Sequence, residues 1–356
     1  MTNAVTLAGL GSEGSSFGFR NRIINGDMRI DQRNAGASVT PTASQYLLDR
    51  FSTQINVASK FSVQQLTATP PVGFTHYLRV TSLSSYSVAA GDVAAINQSI
   101  EGFNVADLGW GTASAATVTL SFWVRSTLTG NFGGTIQNNG QARSYPFAYT
   151  INAANTWEQK TITIPGDTSG TWLKDNGIGI TVKFSIGSGS TFSGTANAWS
   201  SSLFLQPTGS TSVISTNAAT WDVTGVQLEK GSTATPFEFR SIGQELELCQ
   251  RYYYRTTYGT NFVSLAVGIV NTTTSAAQCA FAFPVTMRAT PTINYSSLNI
   301  YDGSVAAAIT SLETQSSSTT SGSLNANATS GGLVVGRTGV LIGNLSSTYL
   351  DASAEL

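Results

Sequence analysis

Charge is what this sequence has least of. Asp, Glu, Lys and Arg together make up 10 % of its 356 residues, against roughly 25 % in an ordinary globular chain. The two signs nearly cancel, with 18 basic and 19 acidic side chains and a net charge of −1. That balance leaves no basic surface to hold nucleic acid. Histidine occurs once, as His76 in the strand-like stretch VGFTHYLRV. A Ser-His-Asp triad would have to use it, and no G-x-S-x-G elbow supplies the serine. No pair of carboxylates stands out for glycosidase chemistry, and the repeats of a long catalytic β-helix are missing. No catalytic residue is assigned, and the chain is read as a non-enzyme. Cysteine occurs twice, at Cys249 and Cys279, in no metal-binding spacing; both are expected as buried free thiols. No apolar run of about 18 residues is present to insert into a membrane. The opening MTNAVTLAGLGSEG lacks the basic and apolar regions of an export signal.

Neutral polar residues stand where the charge is missing. Hydrophobic residues still reach 41 %, and the remainder is dominated by Ser, Thr, Asn, Gln and Gly, a mixture that favours strands and tight turns. Gly9, Gly11 and Gly14 have the spacing of a dinucleotide-binding loop, with Asp31 about where the ribose-binding acid would stand. The following SSFGFRNRIINGD has no amphipathic helical stripe, so the amides that would hold a pyrophosphate are not formed. Residues 1–20 are read instead as a flexible arm.

From 21 to 240 the chain alternates apolar and polar residues in short runs separated by turns, the pattern of a β-sandwich. TVTLSFWVRS sets Val118, Leu120, Phe122 and Val124 against Thr119, Ser121, Trp123 and Arg125. IGITVKFSIG sets Ile178, Ile180, Val182, Phe184 and Ile186 against Thr181, Lys183 and Ser185. In WDVTGVQLEKG the apolar parity changes across Gly225, which predicts a bulge there. Ser241 and Gln244 form a capping box for one connector helix over 241–255, with Ile242, Leu246, Cys249 and Tyr253 as its apolar stripe. Residues 256–356 read as β again, with the polar stretch 316–332 as a long hairpin loop. The expected fold is all-β: a jelly-roll sandwich, a short helix and a second, smaller β-sandwich domain.

Several segments are familiar in their order. FGFRNRIINGDMRIDQRNAGASV, YLLDRF, INQSIEGFNVADLGWGTASAATVTLSFWVRS, GVQLEKGSTATPFEFRSIGQELELCQRYYYR, PVTMRATPTI and the terminal SAEL resemble a family of bacteriophage tail-fibre-like virion proteins. Within it, residues 21–230 resemble a carbohydrate-binding-module jelly roll. The resemblance implies a virion structural protein, made in the host cytoplasm and assembled as a homotrimer. Its expected role is as a tail fibre or receptor-binding protein on host-surface polysaccharide, contacting other virion proteins through the N-terminal arm. A capsid decoration or head-fibre protein is the alternative, and a polysaccharide-degrading tailspike a third.

Candidate sites follow. Sugar faces stack on exposed rings, which singles out Trp123, opposite the core stripe of its strand, and Trp172 and Trp199 in Gly/Ser-rich contexts. Arg251, Tyr252, Tyr253 and Tyr254 are residue types favoured at subunit interfaces and are read as a trimer seam. The module resemblance implies a structural Ca²⁺ joining the first and last strands, for which Asp27 and Asp222 are the matching acids. Val223 stands where many such modules carry a second acid.

Overall fold

The computed structural model describes residues 19–257, 263–271, 273–328, 331–343 and 348–356. The expected N-terminal arm, with Gly9, Gly11 and Gly14, lies almost entirely outside them. The chain divides into two compact units, Met1–Arg240 and Ser241–Leu356.

The first unit is a sandwich of two antiparallel sheets. One has six strands in the order β1 (Tyr46–Leu48), β2 (Phe51–Ile55), β5 (Ala94–Glu101), β10 (Ile178–Ser185), β7 (Gly130–Gln137) and β8 (Ser144–Ile151). The other has five, in the order β3 (Phe61–Leu66), β4 (Tyr77–Ser82), β13 (Thr220–Lys230), β6 (Val118–Ser126) and β9 (Glu158–Ile164). A parallel pair, β11 (Ser193–Gly194) and β12 (Gln206–Pro207), lies in the crossover after β10. The core is made by the alternation already visible in the sequence. Leu120, Phe122 and Val124 of β6 meet Ile180, Val182 and Phe184 of β10 in one buried cluster that includes Trp221. Phe122 lies edge-on to Phe184 at 5.0 Å.

Two departures from regular strand geometry shape this unit. Gly225 takes φ +62°, and the pairing of β13 with β6 shifts between Thr224 and Gln227. The shift puts Trp221 and Val223 on the same buried face as Val226 and Leu228, so the expected bulge is present. Nearby, the first described residues are stitched to the last strand. Arg22 N donates to Leu228 O and Val226 N to Gly26 O, both at 2.9 Å. Asn21 N donates to Glu238 Oε2 at 2.8 Å, and the Arg29 guanidinium to the Arg240 carbonyl at 2.9 Å. A side chain at position 26 would place its Cβ 2.2 Å from Val226 O, so this close pairing needs glycine.

His76 falls just ahead of β4 rather than inside a strand. Its hydroxyl neighbour Thr75 reaches Nδ1 at 2.8 Å, and burial lowers its pKa.

The second unit opens with helix α1 (Ile242–Gln250), capped by Ser241 and Gln244 as the capping box predicts. The helix is shorter than expected, and its buried residues are Glu245 and Cys249, while Ile242 is exposed. The chain then enters β14 (Tyr253–Thr257), which pairs with β22 (Tyr349–Ser353), itself paired with β17 (Thr292–Ser296). The remaining strands close into a barrel ordered β15 (Val263–Val270), β16 (Ala276–Ala282), β20 (Ser321–Ala328), β19 (Ala306–Ser317), β18 (Leu298–Tyr301) and β21 (Thr338–Gly343). The unit is all-β as expected, with a closed ring of strands and a small flanking sheet as its form. Its interior is narrow, with the small side chains of Ala277, Cys279 and Ala326 packed against Leu324 and Leu341. Most of the described part of 316–332, expected as a long loop, is strand: β19 runs to Ser317 and β20 spans Ser321–Ala328, with a turn at 318–320 between them. Leu324 and Ala326 alternate inward between Ser323, Asn325 and Asn327, and that sparse alternation suffices because its partner strands are equally narrow.

Candidate functional site

Strand β10 runs through the middle of the six-stranded sheet, and its polar residues face away from the sandwich core. Antiparallel register aligns them with their neighbours. One row crosses the sheet as Ser52, Asn97, Lys183, Thr135 and Pro146; a second runs Ser99, Thr181, Gln137 and Ser144. A sheet face of this kind is normally solvated and free to be polar. Here Ser99, Thr181, Lys183, Thr135, Gln137 and Ser144 are all buried.

The crossover after β10 explains part of that burial. Its Gln206 accepts from Ser185 Oγ at 2.6 Å, its Phe204 carbonyl from Gln137 Nε2 at 2.8 Å, and its Ser202 carbonyl from Ser144 Oγ at 2.6 Å. The crossover thus lies over the β7–β8 side. Toward β2 the face opens, where Asn97 and Gln54 are half-buried.

The hydrogen bonding at this opening is incomplete. Asn97 Nδ2 donates to Ser52 Oγ at 2.8 Å, but Asn97 Oδ1 is buried without a partner, as is Gln137 Oε1. Lys183, only 3 % exposed, gives one hydrogen bond, to Gln54 Oε1 at 2.6 Å. Burial pushes its pKa down to about 8. Buried polar atoms are ordinarily satisfied; here Asn97 Oδ1, on the side toward β2, and Gln137 Oε1, beneath the crossover, are left without a partner among the described residues.

The tryptophans chosen from sequence lie elsewhere and are packed. Trp172 is 7 % exposed, edge-on to Trp110 at 4.7 Å and to Trp199 at 5.6 Å. Its indole N–H is spent on the Ser169 carbonyl at 3.0 Å, so it does not offer the exposed face expected of it. Trp199 is half-buried against Tyr145 at 5.1 Å. Trp123, also half-buried, covers the bulge beside Phe74, each within 3.1 Å of where a Cβ on Gly225 would lie. The structure does not bring the three together with the polar rows.

The two acids matched to calcium are engaged by arginines. Asp222 is fully buried between Arg79, which donates to Oδ1 at 2.7 Å and Oδ2 at 2.9 Å, and Arg125, which donates to Oδ2 at 2.8 Å. Asp27 pairs with Arg29, leaving Oδ1 as its one unpartnered oxygen. No cluster of three His, Cys, Asp or Glu side chains able to hold a metal occurs among the described residues. A shared cation would have to displace guanidinium groups from Asp222, and the residues present do not fit it.

Tyr252 and Tyr253 of the expected trimer seam are buried within the second unit. Tyr253 Oη donates to Asp351 Oδ2 at 2.8 Å, where Arg255 also donates at 2.8 Å. These rings are core of a single chain rather than contact surface; Arg251 and Tyr254 are half-buried. Cys249 and Cys279 are both free and buried, and burial raises the Cys279 thiol to about 11.

An open cavity of about 580 Å³ in the second unit is lined by Phe281, two alanines and serines of the β19–β20 hairpin. It contains no charged side chain. Sequence reasoning did not single out Asn97, Gln137, Lys183 or Gln54. The available signal was a lysine in mid-strand among serines and threonines, opposite an uninterrupted apolar stripe.

No protein-family model matches the chain, and no curated protein matches it in sequence. Among solved structures, 59 % of the chain aligns with 21 % of the enzymatically active domain of tailspike protein 4 of bacteriophage CBA120, at 11 % identity and a TM-score of 0.34. The family 11 carbohydrate-binding module of a Clostridium thermocellum cellulosomal cellulase is covered over 100 % of its length by 57 % of this chain, at 14 % identity and a TM-score of 0.27. A Clostridium thermocellum xylanase fragment solved with xylohexaose, joining a carbohydrate-binding module to a catalytic module, aligns over 30 % of its length at 12 % identity and a TM-score of 0.29.

Proposed function

We propose that this chain is a non-catalytic virion protein that binds saccharide on the outer face of its six-stranded sheet and serves adsorption to host-surface polysaccharide. The observation that carries the binding reading is the half-buried edge around Asn97 and Gln54 beside Lys183, with the unpartnered amide oxygen of Asn97. A sugar supplies what that edge lacks. Hydroxyl groups donate and accept, so they can satisfy Asn97 Oδ1 and meet the hydroxyl and amide groups beside it. The ordered series of segments resembling tail-fibre-like proteins supports the virion setting and a homotrimer, which light scattering would register as about three times the 37.3 kDa chain mass.

The test is calorimetric titration of the full chain with a panel of soluble oligosaccharides, neutral and acidic. At least one should bind, and Asn97→Leu should weaken it by on the order of tenfold by blocking the open acceptor and its approach. A bound sugar indifferent to Asn97→Leu would place recognition elsewhere. Purified protein should also block phage adsorption in competition; binding without such blocking would separate saccharide recognition from the host-attachment role.

A further inference from the structure

We propose that the Asn97–Lys183 site selects an acidic saccharide: a sugar carboxylate seats on the Lys183 ammonium while a neighbouring hydroxyl donates to Asn97 Oδ1. The inference rests on the saccharide reading above and narrows it to one chemical class.

Lys183 contrasts with three buried aspartates of this fold. The buried aspartates Asp167, Asp222 and Asp351 each face a guanidinium at 2.7–2.8 Å. A charge taken out of water is ordinarily matched in this way. Lys183 is as buried as they are, yet no carboxylate lies within ion-pair distance of it among the described residues. Among the described residues its one partner is the neutral Gln54 Oε1, so two of its three N–H donors have no protein acceptor. The flanking strands add only neutral groups directly across from it, Asn97 on β5 and Thr135 on β7. The charged residues near this face are Glu101, four positions along β5, and Arg50, whose guanidinium donates to the Ser99 carbonyl.

Gln54 marks the way in. It is half-buried, and its amide oxygen occupies the place an anionic oxygen would take on the ammonium. A ligand carboxylate exchanging with that amide replaces a neutral acceptor by a charged one at the same nitrogen, and charge-assisted hydrogen bonds are about twice as strong as neutral ones. Lys183 and Asn97 are direct cross-strand partners, so the residues that supply the cation and the unpartnered acceptor are neighbours on one face. That pairing matches a sugar that carries a carboxylate and free hydroxyls on one residue, as uronic and sialic acids do.

The experiment uses the full chain and matched ligands. An oligogalacturonide and a sialylated oligosaccharide are each titrated beside their carboxyl-reduced forms, which keep the linkage and lose the charge. At least one acid should bind on the order of tenfold more tightly than its reduced partner. Lys183→Gln and, as an independent variant, Lys183→Met should abolish that difference, while Lys174→Gln, an exposed lysine, should leave it intact. Equal binding of acid and reduced forms by the wild-type chain, or an acid preference that survives both Lys183 variants, overturns the acidic-ligand proposal and leaves saccharide binding standing. Binding of no sugar in either form overturns both.

Discussion

A lysine buried without a counter-charge costs stability, and Lys183 makes that cost measurable. Its pKa falls from 10.5 to about 8 on burial, equivalent to roughly 3 kcal/mol. Between those two values the unfolded chain binds the proton and the folded chain does not, so stability rises with pH across that window. Below pH 8 the folded protein carries the full cost. Lys183→Met should therefore melt at a higher temperature than wild type at pH 7, with the gain shrinking as pH approaches 10; calorimetry across that range decides it. Asp222 behaves in the opposite sense. Asp222→Ala leaves Arg79 and Arg125 facing each other without their anion and should cost about 3 kcal/mol, seen as a lower denaturation midpoint. EDTA should leave the wild-type transition unmoved, since the arginines already supply the positive charge. The sequence made the parity of these residues plain, because a period of two assigns each side chain to a face. It did not disclose that the outward face is covered, because the cover comes from a segment rich in Ser and Gly with no apolar periodicity of its own.

Among the elements, the bulge in β13 was legible because one extra residue at a glycine is what reverses apolar parity within a single strand. It also fixes what surrounds it. A Cβ at Gly225 would stand 2.6 Å from Phe74 and 3.1 Å from Trp123, in addition to the strain of a φ of +62°. Gly225→Ala should destabilise the chain by roughly 2–4 kcal/mol. Gly209→Ala has a similar φ of +81° but no atom within 4 Å of the added carbon, and should cost about 1–2 kcal/mol. Chemical denaturation of the two variants separates strain from crowding. The hairpin of β19 and β20 was hidden by composition, since its inward residues are mostly Ala and Gly, too weakly apolar to stand out among serines. RYYYR misled for a related reason: aromatic density is shared by interfaces and cores, and only the pairing of β14 with β22 shows that Tyr253 points to Asp351.

At the scale of the whole molecule, each unit has its own hydrophobic cluster, one built around Trp221 and Phe122 and the other around Leu324 and Leu341. Residues 1–240 expressed alone should therefore unfold in a single cooperative transition and retain saccharide binding; a fragment without near-ultraviolet dichroism would show that the first cluster is insufficient. The clamp that joins residues 21–29 to residues 226–240 has a mechanical meaning. Tension applied along the chain enters the first unit beside the place where it leaves. The hydrogen bonds of Asn21, Arg22, Gly26 and Arg29 to that last segment share the load with β13, whose Val226 and Leu228 take part in them. A pull that would shear an end-to-end sandwich instead meets a short strap, and the face carrying Asn97 and Lys183 keeps its shape for as long as that strap holds.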